Sequence, residues 1–238
     1  MNALQTVLIV GGTSGMGRAV AELLAWRGDN VVIAGRDQAR SESVAMQIGR
    51  GVRGMRIDLT DDESSIRAAA DEIGQVDHLV LSAAALIYAP FRELSIEDAQ
   101  KVFDSKFWGY YRAAKVFGPR LPDTGSITLF SGVAAARPAV GTVAVTAVNA
   151  AIEGLTRSLA LELAPVRVNA VSPGVVDTEG WSHLTTDEKK ATFEQQSQIL
   201  LVERVGQPQD VASTVVHLID NGYTTATTYH VDGGALLV

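Results

Sequence analysis

The chain has 238 residues, a net charge of −7 and no cysteine. With 47% hydrophobic and 20% charged residues it can build a large buried core, which excludes intrinsic disorder. The acidic balance argues against a nucleic-acid partner and against docking on an anionic membrane, and the missing cysteines exclude disulfides, thiolate zinc sites and cysteine nucleophiles. The first basic residue is Arg18, so no charged segment precedes an apolar stretch and no signal peptide is expected. The stretch 133–152 is broken by Arg137, Pro138, Gly141 and Asn149, so no membrane span is expected either. The composition reads as a cytoplasmic protein with no membrane partner.

Val7 to Val10 is a short continuous apolar run of the kind that suits a parallel strand buried on both faces. Glycines follow at once, then Ala19, Val20, Leu23, Leu24 and Trp26 recur at helical spacing until Gly28. Val31 to Ala34 is a second strand, completing one βαβ unit. Further strands are expected at Gly54–Asp58, Asp77–Ser82, Ser126–Phe130, Val166–Val171 and Thr228–Val231. Helices are expected at Ile66–Ile73, Ile96–Phe117, Thr142–Leu163 and Pro208–Ile219. Such alternation predicts an α/β fold: a doubly wound, Rossmann-type parallel sheet with helices on both faces, as a single domain over 1–238. No linker, low-complexity segment or internal repeat interrupts it.

The spacing Gly11-x3-Gly15-x-Gly17 lies between the first strand and the first helix. Glycine there permits a tight turn and lets backbone N–H groups approach a pyrophosphate, while the helix start adds partial positive charge. At the end of the second strand, where an acid would favour the ribose hydroxyl of NAD, the chain has Gly35-Arg36-Asp37. A permanently charged, planar guanidinium suits a 2′-phosphate instead.

These segments resemble the short-chain dehydrogenase/reductase family over essentially the whole length. The glycine motif is similar, with Val10 in place of the family's threonine. Asp58-Leu59-Thr60 resembles the acidic motif that touches adenine. Arg167-Val168-Asn169-Ala170-Val171-Ser172-Pro173-Gly174, then Thr178, is similar to the sixth-strand signature. Gly206 to Ala212 and Val231 to Gly234 resemble its C-terminal segments. The resemblance implies NADP(H) as cofactor, held by Gly11, Thr13, Ser14, Gly15, Met16, Gly17, Arg36, Asp58, Leu59, Ser82, Ala83, Ala84, Pro173, Gly174, Val176 and Thr178. It also implies a substrate lid at about 175–205, a small-molecule substrate, and a homo-oligomer, tetramer or dimer, formed through the two long helices.

The resemblance fails at the chemistry. The family's catalytic group is Asn-Ser-Tyr-Lys, with the tyrosine exchanging the substrate proton and the lysine lowering its pKa. Aligned on Ala150 to Ala160, the lysine position is Asn149 and the tyrosine position is Val145. Valine has no proton to give and asparagine carries no charge. The asparagine position falls on Lys106. Counting back from Val145 reaches Gly132, one residue from Ser131, and the fourth-strand amides are replaced by Ser82-Ala83-Ala84. The catalytic candidates are therefore Ser131, Lys106 and Asn149, with Tyr88, Thr142, Thr146 and the lid residue His183 as further proton-bearing groups. Tyr110 and Tyr111 read as core or interface, and no ligand spacing around the histidines suggests a metal. Three functions fit: an NADP(H)-dependent oxidoreductase with a rearranged site, a non-redox NADP(H)-binding sensor or pseudoenzyme, or a lyase on the same fold with Lys106 or His183 as base.

Overall fold

The computed structural model describes residues 4–182 and 184–238. Seven strands form one parallel sheet in the order β3-β2-β1-β4-β5-β6-β7. They are β1 (Thr6–Val10), β2 (Asn30–Gly35), β3 (Arg53–Arg56), β4 (His78–Leu81), β5 (Ser126–Phe130), β6 (Arg167–Pro173) and β7 (Thr228–Val231). The central runs are largely apolar because both faces are covered, and β4, β5 and β6 are buried at every residue, including the polar His78, Ser126, Thr128, Arg167, Asn169 and Ser172.

One face carries α3 (Glu63–Ile73), α5 (Gly109–Phe117) and α6 (Val143–Glu162), whose Ile66, Tyr110, Phe117 and Ile152 pack on Leu8, Leu79 and Ile127. The opposite face carries α1 (Gly15–Arg27), α2 (Gln38–Ile48) and α8 (Pro208–Asp220), packed on Val7, Ile9 and Val171. Strand β1 lies between β2 and β4, so connections leave it toward opposite edges. The crevice at the carboxyl ends of β1 and β4 is the topological switch point where such sheets bind ligands.

Three elements differ from the sequence reading. The helix expected over Ile96–Phe117 is divided: α4 (Ile96–Phe103) and α5 are joined by a π-helical turn, Asp104–Trp108. Helix α2 was not anticipated, because only Ser41, Val44 and Ala45 are buried along it. Helix α7 (Thr186–Ile199) has no buried residue and hence no apolar period to read. Its capping box, Thr185 with Glu188, was the available signal.

The stretch Arg167-Val168-Asn169 has a structural explanation. Arg167 donates through Nη1 to the carbonyl of Leu218 and through Nη2 to that of Ile219, 2.8 Å away, closing the end of α8. Asn169 Nδ2 donates to the Thr224 carbonyl at 2.8 Å and its Oδ1 accepts from Thr227 N–H, which seats the loop before β7. Gly174 is required by contact: a Cβ there would lie 2.8 Å from Asp232 Cα.

Candidate functional site

The glycine loop is packed at the limit of backbone approach. Gly11 has φ +98°, and a Cβ on it would lie 2.5 Å from the Ala83 nitrogen and 2.6 Å from Ser82 Oγ. A Cβ on Gly17 would strike the Gly11 carbonyl. Ser82 Oγ in turn donates to the Val10 carbonyl at 3.2 Å, tying the loop after β4 to the end of β1. With side chains excluded, a cleft of about 370 Å³ opens over the loop. Gly11, Thr13, Ser14, Gly15, Met16, Gly17, Arg36, Asp58, Leu59, Ser82, Ala83, Ala84 and Thr178 line it.

Pro173, Gly174 and Val176 do not line that cleft. Pro173 ends β6, Gly174 packs on Asp232, and Val176 is buried in the core while its backbone bridges to Gly206. The sequence reading missed Gly35, Ile57, Thr60, Ala85, Ser105, Glu179 and Gly180, which do line it. Ser105, one residue before Lys106, holds the loop after β4 by accepting from Ala85 N–H at 3.1 Å. Glu179 Oε2 accepts the Gly15 N–H at 2.8 Å.

The end of β2 brings a cation and no acid to the cleft. Asp37, beside Arg36, is turned to the N-terminus of α2, where its side chain accepts from Arg40 N–H at 3.0 Å. Among the described residues Arg36 pairs with no carboxylate. Asp58, across the cleft, is held by Thr60 through N–H and hydroxyl at 3.0 and 2.8 Å. Leu59 is buried and packs against Gly109 of α5, and Arg112 donates to its carbonyl at 3.2 Å. An open glycine cradle with Arg36 at its far end fits a dinucleotide carrying a 2′-phosphate.

Lys106 and Asn149 come together. The π turn aims Lys106 inward, where it is 2% exposed. Its Nζ donates to Asn149 Oδ1 at 2.6 Å and to the Ser131 carbonyl at 3.1 Å. Both acceptors are neutral, and burial pulls the lysine pKa down to about 7. Ser131 enters this group through its carbonyl. Its hydroxyl points the other way, donating to Glu153 Oε1 at 2.9 Å and the Asn149 carbonyl at 3.2 Å. Gly132 makes space for the amide, since a Cβ on it would lie 2.8 Å from Asn149 Nδ2.

The other proton-bearing candidates are placed elsewhere. Val145 is buried on α6. Thr142 Oγ1 donates to the Ala139 carbonyl at 2.7 Å and lies 3.1 Å from Thr146 Oγ1. Tyr88 is exposed. Tyr110 is fully buried in the core with no partner for its hydroxyl among the described residues, and Tyr111 packs edge-on against Trp108. His183 lies outside the described residues.

Residues 10–235 match the family model described as enoyl-(acyl carrier protein) reductase. A short-chain dehydrogenase/reductase of Stachybotrys chlorohalonatus is 33% identical over 248 residues, covering 98% of this chain and 97% of that protein. A 3-oxoacyl-[acyl-carrier-protein] reductase of Vibrio harveyi is 29% identical over 240 residues, covering 97% of each. A solved small-chain dehydrogenase in complex with NADPH superimposes with TM-score 0.87 at 36% identity, covering 99% of this chain and 100% of that one. The reductase/Diels-Alderase of Malbranchea aurantiaca superimposes with TM-score 0.91 at 28% identity, covering 99% of this chain and 97% of that one.

Proposed function

Because the chain belongs to the short-chain dehydrogenase/reductase family, we propose that it is an NADP(H)-dependent oxidoreductase in which the family's lysine and asparagine have exchanged places. The observation that carries this reading is the direct bond between Lys106 and Asn149, which are buried behind Ser105 in the wall of an intact glycine cleft and do not line it themselves. Lys106 stands at the asparagine position and Asn149 at the lysine position, so the cation is kept while its origin moves from α6 to the π turn. The tyrosine is not replaced by another phenol: Val145 fills its position.

NADP(H), when bound, supplies or takes a hydride. The chain's own residues do the rest. The N–H groups of the glycine loop would hold the pyrophosphate, Arg36 the 2′-phosphate, and Asp58 with Leu59 the adenine. The backbone of Ser82 to Ala84, at the end of β4, closes the cleft from the far side. Asn149 Oδ1 and the Ser131 carbonyl orient the Lys106 amine, and Gly132 keeps the amide in place. With a pKa near 7, Lys106 exists as both ammonium and amine at neutral pH. It gives a proton, or a hydrogen bond from a positive charge, to a carbonyl oxygen that becomes anionic as hydride arrives, whereas an iminium becomes a neutral amine and needs neither.

Magnitudes permit this without tyrosine. General acid catalysis contributes about 10²- to 10⁴-fold, or roughly 3–5.5 kcal/mol. Holding two reactants in near-attack geometry contributes about 7–11 kcal/mol. Positioning is therefore the larger share, and the cleft retains it. The best acceptor is a small organic substrate that is already polarised, such as an iminium or an activated carbonyl. The exposed rings of Trp108 and Tyr111, with Leu161 on α6, support association of copies through these helices.

A second reading, non-redox binding of NADP(H), is favoured by the near-complete burial of Lys106. One experiment separates them. The intact protein is titrated with NADPH and NADH, beside Arg36→Ala and Lys106→Met, and NADPH consumption is followed with a panel of iminium and carbonyl acceptors. The oxidoreductase reading expects NADPH to bind better than NADH, Arg36→Ala to remove that preference, and Lys106→Met to bind normally while losing turnover of carbonyl acceptors but not of iminium ones, which need no proton. Tight binding with no turnover by the wild type establishes the second reading. No binding of either nucleotide overturns both.

A further inference from the structure

Helix α1 begins at the phosphate loop without a cap of its own. Ser14 makes no side-chain bond to the first turn, and that turn has no acidic residue. The free N–H of Gly15 is met instead by Glu179 Oε2, 164 residues further along the chain. A carboxylate there gains a charge-assisted hydrogen bond and the field of the helix start. A pyrophosphate is drawn to the same N–H by the same physics. Two anions cannot share it.

Glu179 is itself exposed, but its surroundings are tied down. Trp181 Nε1 donates to the Val176 carbonyl at 2.9 Å, and the Trp181 ring meets Phe193 of α7 edge-on at 5.5 Å. Lys189 of α7 pairs with Asp177 at 2.6 Å. The contact therefore links the lid segment to the phosphate loop. Gly15 and Glu179 also form the wall between the nucleotide cleft and a second one of about 670 Å³. Arg18 and Lys189 line that second cleft.

Resting on the NADP(H) reading above, we propose that Glu179 is a built-in competitor for the pyrophosphate of the cofactor. Without nucleotide, the chain closes its own phosphate loop with a lid carboxylate. Binding exchanges that carboxylate for pyrophosphate, and Glu179 turns away toward solvent, since Arg18 and Lys189 in the second cleft are already paired with Glu22 and Asp177. The exchange breaks the Gly15–Glu179 tie between loop and lid, while α7 keeps its own contacts with Asp177 and Trp181. Glu179 thus sets cofactor affinity without taking part in the reaction.

The test is equilibrium binding to the intact protein, read by fluorescence. Wild type, Glu179→Gln and Glu179→Ala are titrated with NADPH and with adenosine 2′-monophosphate, which has the 2′-phosphate but no pyrophosphate. Circular dichroism confirms that each variant is folded. The expected result is about 5- to 30-fold tighter NADPH binding in both variants, with adenosine 2′-monophosphate unchanged. Unchanged or weaker NADPH binding in Glu179→Gln overturns the proposal, as does an equal gain for both ligands. If no form of the protein binds NADPH, the NADP(H) reading itself falls, and this inference with it.

Discussion

Lys106 Nζ lies 2.6 Å from Asn149 Oδ1, and among the described residues no carboxylate pairs with it. A buried cation held only by neutral acceptors is costly to charge, which is why its pKa falls to about 7. Both the chemistry and the stability of the protein should therefore depend on pH through this one group.

The sign is fixed by which state holds the proton. The unfolded lysine keeps its proton up to its ordinary value of 10.5, while the folded one loses it near 7. Between those values the unfolded chain binds more protons, so stability rises with pH. Below about 7 both states are charged and the burial penalty stands in full. Relative to Lys106→Met, the wild type should gain stability from pH 7 to 10 with a slope of at most about 1.4 kcal/mol per pH unit. Urea denaturation of both proteins across that range measures it, and parallel curves would contradict the burial of the ammonium. On the proposed mechanism, in which the ammonium is the donor, NADPH-driven reduction of carbonyl acceptors should fall as pH rises through 7.

A double exchange tests the pair itself. Asn149→Lys alone puts a second ammonium against the first and should cost at least about 3 kcal/mol. Lys106→Asn alone leaves two amides and the Ser131 carbonyl short of a donor, costing about 1–3 kcal/mol. With both substitutions, the bond is rebuilt in the opposite direction. The double variant should recover part of the loss, giving a coupling energy of about 1–3 kcal/mol. Additive costs in denaturant titrations would show that the two side chains do not act together.

How much of this was legible beforehand differs from residue to residue. Gly11 and Gly17 were readable because close backbone contact leaves no alternative to glycine, and that requirement shows in spacing. The sequence singles out Lys106 and Asn149 separately, but not their contact. That contact depends on the π turn at Asp104–Trp108, which has no period in the sequence. Ser131 was named as a reacting hydroxyl, yet the turn at the end of β5 sends that hydroxyl to Glu153. Pro173, Gly174 and Val176 belong to a signature whose packing on Asp232 and Gly206 is as visible in sequence as any contact with a nucleotide. The Glu179 contact was invisible, because nothing local marks a bond between residues so far apart.

Two glycines make opposite predictions. A Cβ on Gly132 would press on the Asn149 amide at 2.8 Å, whereas one on Gly154 in α6 meets nothing within 4 Å. The backbone of Gly132 is extended, with φ 168°, so contact alone sets the cost. Gly132→Ala should destabilise by about 1–3 kcal/mol and displace the acceptor of Lys106. Gly154→Ala should stabilise by up to about 1 kcal/mol, through helix propensity and a less flexible unfolded chain. Thermal denaturation of the two variants side by side gives the comparison, and equal shifts would remove the packing argument for Gly132.

Arg167 separates the needs of the fold from those of the site. Its guanidinium answers the carbonyls of Leu218 and Ile219 at the end of α8 and lies away from the nucleotide cleft. Arg167→Met leaves those carbonyls buried without a donor, at about 1–3 kcal/mol for each unmet group. The fork cannot be replaced by lysine, which offers a single point charge where two carbonyls must be reached at once. Arg167→Lys should therefore recover only part of the loss, and NADPH affinity should stay within about twofold of wild type in both variants while they remain folded. A selective loss of nucleotide affinity would instead mean that α8 transmits its position to the Glu179 contact. Gln207 and Pro208, at the start of α8, line the same second cleft as Glu179.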